Sequence, residues 1–177
     1  MTLNNPDASE FPHNLWAPWR MEYIHSISED FSDACFLCTY RDTPADDIKN
    51  HILFRTPNAL AVMNRYPYTG GHLLIATLTH KGALADLSEE ESRELWTLTR
   101  NCQAVLDRAL TPNGYNIGIN LGRCAGAGLP GHIHQHIVPR WNGDTNFMAV
   151  LGDVRVIPAA LDKLYDQLVA AARELGL

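Results

Sequence analysis

Short apolar segments bounded by turn residues recur along the chain and predict β-strands. Residues 52–54 and 59–64 are two apolar runs separated by the turn sequence Thr-Pro-Asn. Residues 72–78 are apolar on both faces, which is typical of a central strand. Residues 115–121 and 132–138 alternate with a period of two, as half-buried strands do.

Two longer segments carry the 3.6-residue period of amphipathic helices. Residues 86–110 begin with Ser88 and Glu91 at capping-box spacing. The apolar stripe of this helix consists of Leu95, Leu98, Cys102, Val105 and Ala109. Residues 158–175 repeat the pattern, and a further strand is expected to end at Val156. Strands before and after one long helix, joined by short turns, predict an α+β domain with an antiparallel sheet.

Composition and charge narrow the classes of protein. The 177 residues are 46% hydrophobic and 19% charged, which predicts one globular domain, residues 15–177, after a flexible N-terminus, residues 1–14. The net charge of −6 argues against a broad nucleic-acid-binding surface. No apolar run is long enough to span a bilayer, and residues 1–14 lack the features of a signal peptide. We therefore expect a cytoplasmic protein that binds neither nucleic acid nor membranes.

An aromatic segment, LWAPWRMEYI at residues 15–24, precedes the predicted sheet. Its two tryptophans and tyrosine predict a plug over the core or at a subunit contact. An arginine placed near a bound anion is the alternative.

Two of the four cysteines form a Cys-x-x-Cys pair, Cys35 and Cys38, whereas Cys102 and Cys124 are isolated. In a reducing compartment such a pair indicates metal or redox chemistry more than a structural disulfide.

Three histidines alternate in the segment GHIHQHIVP: His132, His134 and His136. On a strand, alternate side chains share one face, so the three rings would project together. Imidazole can act as a metal ligand or as a nucleophile and acid–base group. Same-face residues are spaced by about 6.6 Å along a strand, which favours separate roles over one shared ion. The small-residue loop before them, residues 125–128, offers backbone N–H groups to a phosphate.

The run HIHQHIV resembles the signature of the histidine triad family of nucleotide hydrolases and transferases. The resemblance extends over about residues 15–165, through Asn64, Gly71-His72-Leu73 and Pro139-Arg140-Trp141. The segments LWAPWRMEYI and WNGDTNF are similar to the bacterial branch that contains diadenosine tetraphosphate phosphorylases and hydrolases. The resemblance implies a five-stranded antiparallel sheet with one long helix and a C-terminal helix.

The resemblance also implies roles for single residues. His134 would attack the α-phosphate and carry the nucleotidyl group, His136 would assist the leaving group, and His72 would complete a proton relay. The residues expected to bind the nucleotide are Asn64, Asn120, Ala127, Gly128 and Trp141. A turn-forming role for Asn64, a structural role for His72 and simple burial of Trp141 are the alternatives.

Some bacterial members of the family bind a structural zinc with a Cys-x-x-Cys pair and two histidines. The matching set in this chain is Cys35, Cys38, His80 and His132, which is a closed tetrahedral Cys₂His₂ set. The resemblance therefore implies a structural Zn²⁺ and no organic cofactor. The alternative is a reduced pair with His80 in a surface turn.

Two positions depart from the family pattern. Gln135 occupies a position that is usually apolar, and we expect it to face away from His134. Gly128 stands where many members have a Ser or Gln that hydrogen-bonds the phosphate. Which group assists the leaving group in this chain is therefore left open.

The resemblance implies an enzyme that cleaves dinucleoside polyphosphates through a nucleotidyl-His134 intermediate, with water or orthophosphate as the acceptor. The alternatives are a nucleoside phosphoramidase, a nucleotide-binding module without catalysis, and a catalytic metallohydrolase. Because hydrolase and phosphorylase share every residue named, the sequence does not separate them. A homodimer that joins two sheets is also implied.

Overall fold

An antiparallel sheet holds the candidate residues. The computed structural model describes residues 35–144 and 160–177, and within them the sheet has five strands. These strands are β1 (Ile52–Arg55), β2 (Ala59–Met63), β3 (Leu73–Thr77), β4 (Gly114–Ile119) and β5 (His134–Arg140). Their order is β1-β2-β3-β5-β4, and every neighbouring pair is antiparallel. The prediction of a central, doubly buried β3 is confirmed.

Three α-helices pack on this sheet in the described ranges: α1 (Phe36–Asp42), α2 (Glu89–Leu110) and α3 (Leu161–Glu174). Ser88 caps α2 with Glu91 in the predicted capping box. The helix begins three residues later than predicted, because residues 84–86 form a separate 3₁₀ turn. The sequence pattern did not predict α1, since seven residues are too few to display a helical period.

The two faces of the sheet pack against different helices. The larger core cluster joins one face to α2 and α3, and Leu98, Val105 and Leu168 are among its fully buried members. A smaller cluster joins the other face to α1 through Leu37 and Tyr40. The face that α1 covers is also the face on which His134 and His136 project, because Ile137 belongs to the α2 cluster and alternates with them.

The histidine strand is displaced by two residues from the prediction: it covers His134–Arg140 instead of residues 132–138. It begins at His134, and His132 lies in a bend before it. The reason is that β3 ends at Thr77, whose carbonyl oxygen accepts a hydrogen bond from the ring of His132 in place of further strand pairing.

Several predictions fall outside the described residues: the aromatic segment at residues 15–24, the strand ending at residue 156, and the domain bounds 1–14 and 15–177. They stay predictions. In residues 35–144 and 160–177, no helix has the length and apolar character needed to cross a membrane.

Candidate active site and metal centre

A glycine in the left-handed backbone region positions the first candidate histidine. Gly71 has a φ of +83°, and a Cβ there would lie 2.7 Å from Cδ1 of Leu110 and 3.3 Å from Cγ of Pro139. Only glycine adopts this conformation without cost and leaves room for the end of α2. The chain therefore turns tightly into β3 and brings His72, which is 1% exposed, next to β5.

His72 and His136 form a directed hydrogen-bonded pair. The backbone N–H of Tyr68 donates to Nδ1 of His72 at 3.1 Å, so the ring proton of His72 lies on Nε2. That Nε2–H donates to Nδ1 of His136 at 2.9 Å, which places the proton of His136 on its Nε2. This Nε2 is buried and has no hydrogen-bond partner among the residues that the structure describes. It is therefore a donor available to a ligand.

His134 presents the opposite polarity. Its Nδ1–H donates to the backbone carbonyl oxygen of His132 at 2.8 Å, which leaves the lone pair on Nε2. The rings of His134 and His136 lie 5.1 Å apart at their centroids. A lone pair on one ring and a proton on the next form the pair that nucleophilic attack with leaving-group protonation requires.

Burial keeps both rings neutral. It lowers the pKa of His134, although the hydrogen bond to the His132 carbonyl acts in the opposite direction. Burial and the neighbouring His134 lower the pKa of His136 to about 4. Near neutral pH, the Nε2 of His134 therefore keeps its lone pair, as a nucleophile would require.

Four further side chains converge beside this pair. The ligand atoms of Cys35, Cys38, His80 and His132 all lie within 4.8 Å of one another. The Sγ of Cys35 lies 3.1 Å from Nδ1 of His132, and the Sγ of Cys38 lies 3.3 Å from Nδ1 of His80 and 3.6 Å from Nδ1 of His132. The cluster is thus competent to hold a metal ion.

The geometry and the chemistry of the cluster fit zinc. Ordinary Zn–S and Zn–N bond lengths in a tetrahedron give sulfur–nitrogen separations of about 3.5 Å. Nε2–H of His132 donates to the Thr77 carbonyl at 2.7 Å, so its Nδ1 lone pair faces the cysteines. Burial also lowers the pKa of His132 and favours the neutral ring that a metal requires.

Asn64 lies next to the relay and in a turn. Its Oδ1 accepts the backbone N–H of Tyr66 at 3.0 Å, and its Nδ2 lies 3.3 Å from Nδ1 of His72. The turn-forming alternative is therefore supported, and ribose binding stays a prediction.

Several backbone N–H groups of the small-residue loop donate hydrogen bonds to carbonyl groups of the residues just before it. The N–H of Ala127 donates to the carbonyl of Gly122 at 3.2 Å, and Nδ2 of Asn120 lies 3.4 Å from the carbonyl oxygen of Gly126. A phosphate would have to displace the Ala127 hydrogen bond to use that N–H. Gly128 is exposed. A phosphate site on this loop remains a prediction.

Trp141 is partly buried, and its indole N–H donates to the Leu110 carbonyl at the end of α2 at 3.4 Å. This contact supports the packing interpretation. Gln135 is 2% exposed and shares the α2 face with Ile137, away from His134, as predicted.

Tyr68 is the site residue that sequence reasoning missed. Besides its N–H contact to His72, its ring stacks on His136 with centroids 5.9 Å apart and an interplanar angle of 14°. Its position four residues before His72 gave no periodic or motif signal.

Comparisons with known proteins agree with this geometry. Residues 45–143 match the HIT domain. A protein from Mycobacterium tuberculosis named AP-4-A phosphorylase is 36% identical over 151 residues, which cover 83% of this chain and 77% of that protein. The asymmetrical bis(5'-nucleosyl)-tetraphosphatase of Schizosaccharomyces pombe is 33% identical over 97 residues, which cover 55% of this chain and 53% of that protein.

A crystal structure of a Zn-bound histidine triad family protein from Mycobacterium smegmatis superimposes with a TM-score of 0.65 and 28% identity. The superposition covers 81% of this chain and 96% of that one. With the domain match and the tuberculosis protein, it establishes the fold and the family: this chain belongs to the histidine triad family.

Proposed function

We propose that the protein cleaves dinucleoside polyphosphates, with diadenosine tetraphosphate as the leading substrate, through a covalent nucleotidyl-His134 intermediate. The observation that carries the proposal is the opposite polarity of the two neighbouring rings: a lone pair on Nε2 of His134 and a proton on Nε2 of His136. The names of the tuberculosis and fission-yeast proteins support the substrate class.

The reaction follows from these protonation states. Nε2 of His134 attacks the α-phosphorus and forms a P–N bond while the P–O bond to the leaving nucleotide breaks. His136 donates its Nε2 proton to the leaving oxygen, and the Nε2–H of His72, which is hydrogen-bonded to Nδ1 of His136, stabilises the negative charge left on the His136 ring. Water or orthophosphate then attacks the phosphorus and breaks the P–N bond, which frees His134, and the proton of the attacking group returns to Nε2 of His136.

We infer that the four-residue cluster binds zinc as a structural ion. All four ligands come from protein side chains, so no position is left open for substrate. When bound, the ion would tie α1 and the loop after β3 to the start of the histidine strand.

We also propose a homodimer through β4. This strand is an edge of the sheet, and Asn116, Ile117 and Gly118 are exposed on it. An edge with unpaired backbone groups is a template for another strand.

We further propose that the protein is cytoplasmic. This proposal rests on the four free cysteines.

Trapping tests the function. Wild-type protein incubated with labelled diadenosine tetraphosphate and quenched should carry an acid-labile nucleotidyl group, which the His134→Ala variant should lack. Products measured with and without phosphate then identify the acceptor: ADP plus ATP indicates phosphorolysis, and AMP plus ATP indicates hydrolysis. Nucleotide binding without labelling or turnover would favour the binding module, and turnover of a nucleoside phosphoramidate alone would favour the phosphoramidase.

A further inference from the structure

One ligand of the metal cluster lies in an exposed loop. His80 follows β3 in an irregular segment and is exposed, whereas Cys35 and Cys38 lie at the start of α1 and His132 is 1% exposed. An exposed side chain on an irregular loop has many conformations to lose when it binds an ion. Something in the fold must hold this loop if His80 is to be a strong ligand.

The carboxylate of Glu91 contacts both chain neighbours of His80. Nζ of Lys81 donates to Oε2 of Glu91 at 2.7 Å, and the hydroxyl of Thr79 donates to Oε1. Glu91 is 4% exposed, and its Oε2 also accepts the backbone N–H of Ser88 at 2.8 Å in the capping box. Glu91, a buried residue in the first turn of α2, therefore holds the loop by hydrogen bonds on both sides of His80.

The same loop is fixed to the histidine strand. The carbonyl of Lys81 accepts the N–H of Ile133 at 2.7 Å. The ring of His80 lies against Gly131, where a Cβ would come within 3.3 Å of Nε2. The position of His80 is thus set by Glu91 from one side and by the chain before β5 from the other.

We propose that Glu91 is the positioning residue of the metal centre, holding the loop after β3 so that His80 is in place before the ion binds. The proposal rests on the inferred zinc site. Burial acts to raise the pKa of Glu91, but the hydrogen bonds from Lys81, Thr79 and Ser88 outweigh it and lower the pKa to about 2, so the carboxylate is charged near neutral pH.

The chain offers a matched control one turn further along α2. Glu94 accepts hydrogen bonds from the hydroxyl of Thr56 and from the backbone and side chain of Asn58. It therefore holds a turn to the same helix in the same way, but this turn, between β1 and β2, carries none of the four ligands.

The test compares Glu91→Gln with Glu94→Gln in the full-length chain. The apparent zinc affinity is measured by competition with a chromogenic chelator, and urea unfolding of the zinc-free proteins corrects for any difference in stability. Loss of a group that hydrogen-bonds a metal ligand commonly weakens metal binding by about 10–100-fold, and Glu91, which acts through the two neighbours of His80, is expected at the lower end of this range. Glu91→Gln should show a loss in this range, and Glu94→Gln should bind zinc as the wild type does.

A second variant covers the case in which Glu91→Gln does not fold. Lys81→Met removes one of the two side-chain hydrogen bonds between Glu91 and the loop, and it should show a smaller loss of zinc affinity.

Equal zinc affinity of wild type and Glu91→Gln, or an equal loss in Glu94→Gln, would overturn the proposal. Wild-type protein that folds but takes up no zinc would overturn the metal centre together with it. Neither result touches the nucleotidyl transfer at His134, which the trapping experiment tests separately.

Discussion

His132 orients His134 through its backbone carbonyl oxygen, which accepts the Nδ1 proton of His134 at 2.8 Å, while the ring of His132 faces the sulfur of Cys35 at 3.1 Å. One residue therefore contributes to both groups, to the four-residue cluster by its side chain and to the orientation of His134 by its main chain. Movement of the chain at His132 would change both, so the four-residue cluster supports the strand that carries His134 and His136.

The relay through His72 gives the first prediction. His72→Leu removes both ring nitrogens at similar volume, and we expect kcat to fall by about 10²–10⁴-fold, the usual contribution of acid–base groups. His72→Gln, whose amide N–H can still donate to His136, should retain much more activity. Steady-state cleavage of diadenosine tetraphosphate measures both. Wild-type kcat in His72→Leu would show that the relay is not used.

The depressed pKa of His136 predicts how stability changes with pH. An unfolded histidine takes up its proton near pH 6.5, whereas folded His136 does so at about pH 4. Between these values the unfolded chain binds more protons, so the free energy of unfolding must decrease as the pH falls from 6.5 towards 4. Urea unfolding should show a smaller decrease in His136→Gln. Parallel curves for the two proteins would contradict the prediction.

Removal of zinc should destabilise the fold. A ligand at 100 times its dissociation constant stabilises the folded state by about 2.7 kcal/mol, which corresponds to roughly 5–10 °C in Tm for a chain of this size. Differential scanning calorimetry with and without a chelator should show this shift in wild type and in the control Cys124→Ser, but not in Cys38→Ser. A chelator that abolishes activity while the Tm stays unchanged would instead favour a catalytic metal.

The turn into β3 should not tolerate a side chain at Gly71. We expect Gly71→Ala to lower the free energy of unfolding by about 2–4 kcal/mol, since overpacking and a left-handed backbone both carry a cost. Gly114→Ala is the control, because a Cβ there meets no atom within 4 Å. Chemical denaturation measures the pair, and equal stability of the two variants would be inconsistent with the packing described.

The β4 edge predicts the effect of a charge on assembly. Lysine on an edge strand opposes strand pairing, so Ile117→Lys should yield a monomer if the proposed dimer forms there. Ile48→Lys, at a residue 78% exposed outside the sheet, should leave assembly unchanged. Sedimentation equilibrium distinguishes these outcomes, and a dimeric Ile117→Lys protein would place the interface elsewhere.

The features predicted correctly from the sequence are those that depend on the spacing of residues close together in the chain. The alternation of His134 and His136, the burial of β3 and the capping box of α2 are local patterns, and the structure has each of them. The four-residue metal set came from the family resemblance, and the structure brings it together.

The remaining features depend on contacts between distant segments. The bend at His132 follows from the end of β3 at Thr77, 55 residues earlier in the chain. The hydrogen bond from the N–H of Ala127 to the Gly122 carbonyl depends on the conformation of the whole loop. Glu91 was predicted only as a helix cap, since nothing local to α2 indicates its contacts with the loop around His80.

The protons of three histidines in this site are assigned by main-chain groups: Tyr68 N–H for His72, the His132 carbonyl for His134 and the Thr77 carbonyl for His132. Substitution of the side chains at Tyr68 or Thr77 leaves these groups in place. Transplanting these histidines onto another sheet would therefore lose their proton arrangement unless the backbone path around them were copied as well.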